Sequence, residues 1–165
     1  MKIILVVALV LLCGFIGIGI SVGYKQKKLF FDAYLSFLQN IKIEIGFTAS
    51  KLSEIIQKEL VNTNNKDFKI LLNNYREILN VKIELTKENL FKDIKFLSLQ
   101  EKDDLFMFFN ALGKTDVFNQ VDIIKSKIEQ VKLTCEKLKK DCDKYCPLFT
   151  KLGFLSGLFL ALIII

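Results

Sequence analysis

Few residues here have chemistry to offer: four cysteines, Cys13, Cys135, Cys142 and Cys146, and one carboxylate, Glu44, set between Ile43 and Ile45 in an apolar run. Thiolates can hold a metal or cycle through a disulfide, and a carboxylate among apolar neighbours can act as a general acid. Neither chemistry finds its partners. The sequence has no His, which removes the commonest general base and the commonest metal ligand, and with them zinc hydrolase, Ser-His-Asp and Cys-His schemes. A C-x-x-C pair, a Gly-rich phosphate loop, a nucleophile elbow and a distinctive pair of carboxylates are all missing from the sequence. No catalytic, cofactor-binding or metal-ligating residue is therefore expected. Glu44 reads as a helix-edge carboxylate satisfied by a neighbouring Lys.

The elements that would position these residues point to a membrane. The 165 residues are 52% hydrophobic with a formal net charge of +6, and the mean hydropathy of +0.35 is high for a soluble domain of this size. Ile3 to Tyr24 carry no charge, close to the roughly 20 residues that cross a hydrocarbon core as a helix. No Ala-x-Ala-like site follows, so a retained membrane helix over 1–24 is expected rather than a cleaved signal peptide. Leu12 occupies the place of a lipobox small residue, which leaves Cys13 as an apolar membrane residue. Leu152 to Ile165 form a second apolar run; at about 21 Å of helix it is short for a bilayer. Extended back to Leu148, with Lys151 snorkelling to the headgroups, it makes a C-terminal membrane segment over 148–165, a short span with a half-inserted anchor as the alternative.

Six of the eight glycines lie in these two runs. Gly19 with Gly23, and Gly153 with Gly157, have the small-xxx-small spacing that lets membrane helices approach closely. Lys25, Lys27 and Lys28 follow the first run, and Lys137, Lys139, Lys140, Lys144 and Lys151 precede the second. The positive-inside rule places both flanks, and the region 25–147 between them, in the cytoplasm. Reduced cysteines fit that compartment. The lysines would also attract the headgroups of the bilayer, whereas the aromatic residues follow the core stripe and leave no case for nucleic acid.

Between the runs the apolar periodicity is helical throughout. Phe30, Tyr34, Phe37, Leu38, Ile41 and Ile45 mark one face of a first helix ending near Gly46, and Ser50 can cap a second carrying Leu52, Ile55, Ile56 and Leu60. A third carries Phe68 to Leu79, and a fourth is expected over about Thr86–Leu97. Ser98 and Glu101 have capping-box spacing ahead of a fifth helix that Gly113 ends, and Asp116 can cap a sixth. In the sixth, Val117, Val121, Ile124, Ile128, Val131, Cys135, Leu138, Cys142 and Tyr145 alternate steps of four and three as an a/d seam. Cys135 and Cys142 are core positions of that seam and Cys146 lies off it; Pro147 is expected to kink or break the helix.

The expected fold class is thus all-α, an antiparallel six-helix bundle domain between an N-terminal and a C-terminal transmembrane helix. Three stretches also resemble a known family. Leu112-Gly113-Lys114-Thr115-Asp116 with Gln120 resembles the L-G-x-S-D-x-x-x-Q signature of the stage III sporulation protein AB family. Ile41 to Leu52 resembles its L-E-T-E-I-x-Y-x-x-T-P-L segment, and Leu152-Gly153 with Gly157 resembles its C-terminus. Lys42, Ser50-Lys51 and Thr115 depart from the pattern. The resemblance implies a protein of the mother-cell membrane facing the forespore. It is similar to the cytoplasmic domains of the type II secretion inner-membrane platform, six-helix bundles that engage an ATPase.

The partners implied are the stage III AA ATPase, the other stage III A membrane proteins, the bilayer and further copies of the same chain. On this basis Glu44, Leu112, Gly113, Asp116 and Gln120 are candidate interaction residues, with a packing role for Leu112, a C-cap for Gly113 and an N-cap for Asp116. The expected function is a non-enzymatic platform subunit coupling an ATPase to a membrane complex; a membrane-anchored helical signalling or dimerisation module is the alternative.

Overall fold

The structure is a computed structural model that describes residues 2–48, 52–81, 83–114 and 116–164, without the side chains of 2–7, 9, 47, 48, 163 and 164. Ser50, expected to cap the second helix, lies outside the described residues, as do Lys51, Thr115 and Ile165. The described residues form six α-helices and no strand: α1 Lys2–Thr48, α2 Leu52–Asn62, α3 Lys66–Val81, α4 Lys87–Leu90, α5 Leu99–Ala111 and α6 Val117–Ile164. The expected first membrane run and the first domain helix are one element, α1, and the seam helix and the last apolar run are one element, α6. Contacts divide the chain into two compact units, residues 1–28 with 135–165, and residues 29–134.

In the 29–134 unit, aromatic side chains fill the interior. Phe30, Tyr34, Phe37, Phe68 and Phe109 are essentially solvent-free and meet in edge-on, stacked and tilted pairs, and the tilted Tyr75 and Phe109 rings have centroids 4.8 Å apart. Each such burial stabilises the fold by roughly 1.5–3 kcal/mol. The polar groups drawn inside are mostly partnered, as burial demands. Tyr75 Oη donates to Phe109 O at 3.1 Å, and Asn40 Nδ2 donates to the buried Glu59 carboxylate at 3.2 Å.

Local capping sets the helix starts. Asn65 Oδ1 accepts the Phe68 N–H at 2.9 Å at the head of α3, and Thr86 Oγ1 accepts from Asn89 N at 3.3 Å. Ser98 and Glu101 form the reciprocal capping box that their spacing predicts, with Ser98 N donating to Glu101 Oε2 at 2.9 Å.

Two expectations for this chain are corrected. The fourth helix, expected over about Thr86–Leu97, stops at Leu90. Asn74 Nδ2 donates to Leu90 O at 3.2 Å, the carbonyl that a continuing helix would give to Ile94 N, and Ile94 N turns to Phe91 O instead at 3.0 Å. Leu90, Phe91, Ile94 and Leu97 are nonetheless all buried. The second correction concerns a break at Pro147: of the kink or break expected there, no break occurs, and Pro147 sits inside α6. Proline removes one donor, the one that Asp143 O would have received, while the next turn is held by hydroxyls. Ser21 Oγ and Thr150 Oγ1 both donate to Cys146 O, at 2.8 and 3.0 Å.

In the unit of 1–28 and 135–165, glycines make the helix contact. A Cβ on Gly17 would stand 2.4 Å from Phe149 O and 3.2 Å from Gly153 Cα, and one on Gly157 would stand 2.8 Å from Val10 Cα. Gly14 abuts the Phe154 ring. Such approach is available only without side chains. Cys135, Leu138 and Cys142 are buried here, as the seam predicts. Cys146, expected off the seam, is 7% exposed, with its Sγ 3.1 Å from Cys142 Sγ. A straight helix turns every 3.6 residues and drifts by about 20° per heptad, which carries position 146 onto the buried face.

Among the described residues one helix, α6 over Val117–Leu162, is long and apolar enough to cross a membrane. The expected membrane helix over 1–24 begins among residues whose side chains lie outside those described.

Candidate functional site

The turn between α5 and α6 is built from the residues of the Leu112 to Gln120 stretch. The Leu112 N–H donates to Phe108 O at 3.1 Å, closing α5, and the Leu112 side chain is buried. Gly113 then takes φ +82°, the left-handed conformation that L side chains resist, and Lys114 N donates to Ala111 O at 3.2 Å.

Asp116 precedes α6 and caps it: Oδ1 accepts the Asn119 N–H at 3.0 Å, and Oδ2 accepts from Asn119 Nδ2 at 2.5 Å. The Asn119 backbone hydrogen bond is the main reason that the Asp116 carboxyl is held below the ordinary carboxylate value. Gln120, one turn on, donates its N–H to Asp116 O at 3.0 Å. Its side chain is 8% exposed, and Nε2 is buried with no hydrogen-bond partner among the described residues.

The Ile41 to Leu52 stretch comes to this same turn. A Cβ on Gly113 would lie 3.3 Å from Leu52 Cδ2, and one on Gly46 would lie 3.9 Å from Val121 Cγ2. Two motif segments about 60 residues apart in sequence thus share one packing site. Glu44, in the same stretch, pairs with Lys58 of α2. The Lys58 ammonium is held above its usual value by the Glu44 hydrogen bond and charge. The arrangement ties α1 to α2 and orients α5 against α6, and it offers hydrogen-bonding and apolar contact.

Beside the turn, a groove of about 650 Å³ runs between α5 and α6, lined among others by Asp104, Met107, Asn119, Asp122, Ile123 and Lys127. Lys127 is buried to 8% exposure and donates to Asp104 Oδ1 at 2.5 Å and to Gln130 Oε1 at 3.1 Å. Met107 at 69% and Phe118 at 87% are open to solvent. Sequence reasoning did not single out Asp104 or Lys127. The available signal was that Lys127 stands three residues after Ile124 and four before Val131, on the seam face.

The glycines divide. Gly153 and Gly157 lie in the helix contact, whereas a Cβ on Gly19 or Gly23 would meet nothing within 4 Å. Gly153 meets Cys13 O and Gly17, and Gly157 meets Val10 and Cys13, so the α1 face in this contact runs through Val10, Cys13 and Gly17, with Gly14 against the Phe154 ring. Gly14 and Gly17 were legible only as small residues at helical spacing.

Compared with known proteins, the chain is matched by the family model for stage III sporulation protein AB over residues 2–165. No curated protein matches it, and no solved structure does.

Proposed function

The chain belongs to the stage III sporulation protein AB family, and from that membership we propose that it is a non-enzymatic membrane platform subunit of a mother cell to forespore apparatus. In this role the 29–134 unit holds a cytoplasmic ATPase of the stage III AA type against the membrane complex of stage III A proteins. The observation that carries the proposal is the groove between α5 and α6. It combines exposed Met107 and Ile123 with Asp122, Asn119 and Ser126, the mixture of apolar anchor and polar rim by which proteins hold one another.

Membrane placement is part of the same proposal. The apolar α6 segment supports one crossing, and the run Ile3–Tyr24 supports a second as part of α1. Lysines 25, 27 and 28 after the first run and 137, 139, 140, 144 and 151 before the second support a cytoplasmic side for the intervening unit by the positive-inside rule. With both runs spanning, the protein is a multi-pass protein of the mother-cell membrane, and further copies assemble with it there.

The test is co-purification of the detergent-solubilised full chain with the ATPase. Ile123→Glu and Asp122→Lys, in the groove, are expected to lower ATPase retention by roughly tenfold, while Glu88→Lys on α4 retains it. Loss in all three variants, or retention in all three with helical content unchanged, removes the groove as the coupling surface.

A further inference from the structure

A second cavity, of about 530 Å³, lies within the unit of 1–28 and 135–165. Ser21 and Lys25 of α1 line it together with Asp143, Cys146, Thr150 and Lys151 of α6. Its position in the sequence is specific. Lys25 is the first charge after the uncharged run Ile3–Tyr24, and Lys151 is the last charge before the run Leu152–Ile165. If both runs lie in hydrocarbon, both ammoniums stand at the depth of phospholipid headgroups.

The aromatic residues agree with that depth. Tyr24, Tyr145 and Phe149 cluster with centroids 5.9 to 6.1 Å apart, and tyrosines of this kind favour the interface between hydrocarbon and water. Leu148, Leu152 and Leu155, next to the cavity residues in α6, are 42%, 49% and 61% exposed and offer apolar surface to acyl chains.

The chemistry of the lining selects the headgroup. The Ser21 and Thr150 hydroxyls donate to Cys146 O and are not free to donate to a ligand. Among the described residues neither Lys25 nor Lys151 has an ion pair. The strong donors left are two ammoniums, and against them stands one carboxylate, Asp143. The cavity therefore carries a net single positive charge, which a phosphodiester bearing one negative charge balances. Two ammoniums fit its phosphate, and the Asp143 carboxylate fits hydroxyl donors on the alcohol beyond it. A second anionic group would meet Asp143 at a cost.

We propose that this cavity binds the headgroup of a singly anionic phospholipid with a hydroxylated alcohol, of the phosphatidylglycerol kind, between Lys25 and Lys151. This rests on the membrane placement proposed above. A lipid held there would bridge α1 and α6 where the two apolar runs begin.

Native mass spectrometry of the full chain, released from micelles containing phosphatidylglycerol, phosphatidylethanolamine and phosphatidylcholine, reads the site. Wild type is expected to retain phosphatidylglycerol over the other two. The double variant Lys25→Gln, Lys151→Gln loses that adduct by roughly tenfold, while Lys139→Gln, Lys140→Gln, which removes the same charge outside the cavity, changes it less than about twofold. Equal retention of the three lipids, or equal loss in both double variants, overturns the site. Displacement of the lipid by excess inorganic phosphate assigns the cavity to a free anion and overturns the lipid. Flotation of each variant with liposomes separates the two proposals: a chain that does not float overturns the membrane placement and this site together, whereas one that floats without lipid preference overturns the site alone.

Discussion

Leu52 at the head of α2 lies against Gly113 at the foot of α5, so close that a Cβ on the glycine would stand 3.3 Å from the leucine Cδ2. The contact joins two segments far apart in the chain, and it makes Gly113 subject to two demands at once. Its φ of +82° disfavours most side chains, and a Cβ would require the Leu52 side chain to give by a few tenths of an ångström.

Gly113→Ala is accordingly expected to destabilise the protein by roughly 1–2 kcal/mol, from the left-handed backbone alone. Gly113→Val adds crowding against Leu52 and exceeds it. Gly113→Asn, which tolerates this backbone region, falls below Val. Thermal unfolding of the full chain in detergent, followed by circular dichroism, orders the three variants.

The glycines of the helix contact predict a contrast. Gly17→Ala drives a methyl toward Phe149 O, where the gap is 2.4 Å, and forces the helices apart at a cost of roughly 1–3 kcal/mol. Gly19→Ala points into open space and shows no loss. Unfolding midpoints of the two variants in the same micelles check this; equal midpoints would remove Gly17 from the contact.

For the Lys127–Asp104 pair, the two partners are unequally exposed, with side-chain values of 9% and 39%. Asp104→Ala strands a buried ammonium and is expected to cost about 1–2 kcal/mol, reduced from the fully buried case because Asp104 is partly solvated. Lys127→Met replaces the buried member by an apolar chain and lets Asp104 return to water, so it costs less, below about 1 kcal/mol. Denaturation midpoints that reverse this order would contradict the pair's assignment as a burial-limited interaction.

Asp116 gives the acid response. Its carboxyl titrates below its ordinary value in the folded chain because the Asn119 N–H favours the charged form. The unfolded state therefore takes up the proton first, and the stabilisation is present above the unfolded pKa and lost as pH falls through the folded one. Asp116→Asn keeps a capping oxygen and does not titrate. Wild type is expected to lose its thermal midpoint more steeply than this variant below about pH 4, and parallel curves would show that the cap is not formed by the carboxylate.

Much of this protein follows from residue type and spacing. Helical periodicity, the Ser98–Glu101 capping box, the burial of Phe30, Tyr34, Phe68 and Phe109, and the apolar α6 segment are local or additive properties, and each is readable along one strand of sequence. The family motifs were legible too, as was their division into a turn glycine and a capping aspartate. Tertiary structure decided what depends on a partner from elsewhere in the chain. Asn74 takes the Leu90 carbonyl and ends α4 early. Ser21 and Thr150 hold Cys146 O beside Pro147 in an unbroken helix. Gly17 meets Gly153 and Gly14 meets the Phe154 ring, whereas Gly19 and Gly23 meet nothing within 4 Å, because the rotation of one helix against another selects which small residues face inward. A period tells which residues share a face; only the packed chain tells what that face meets.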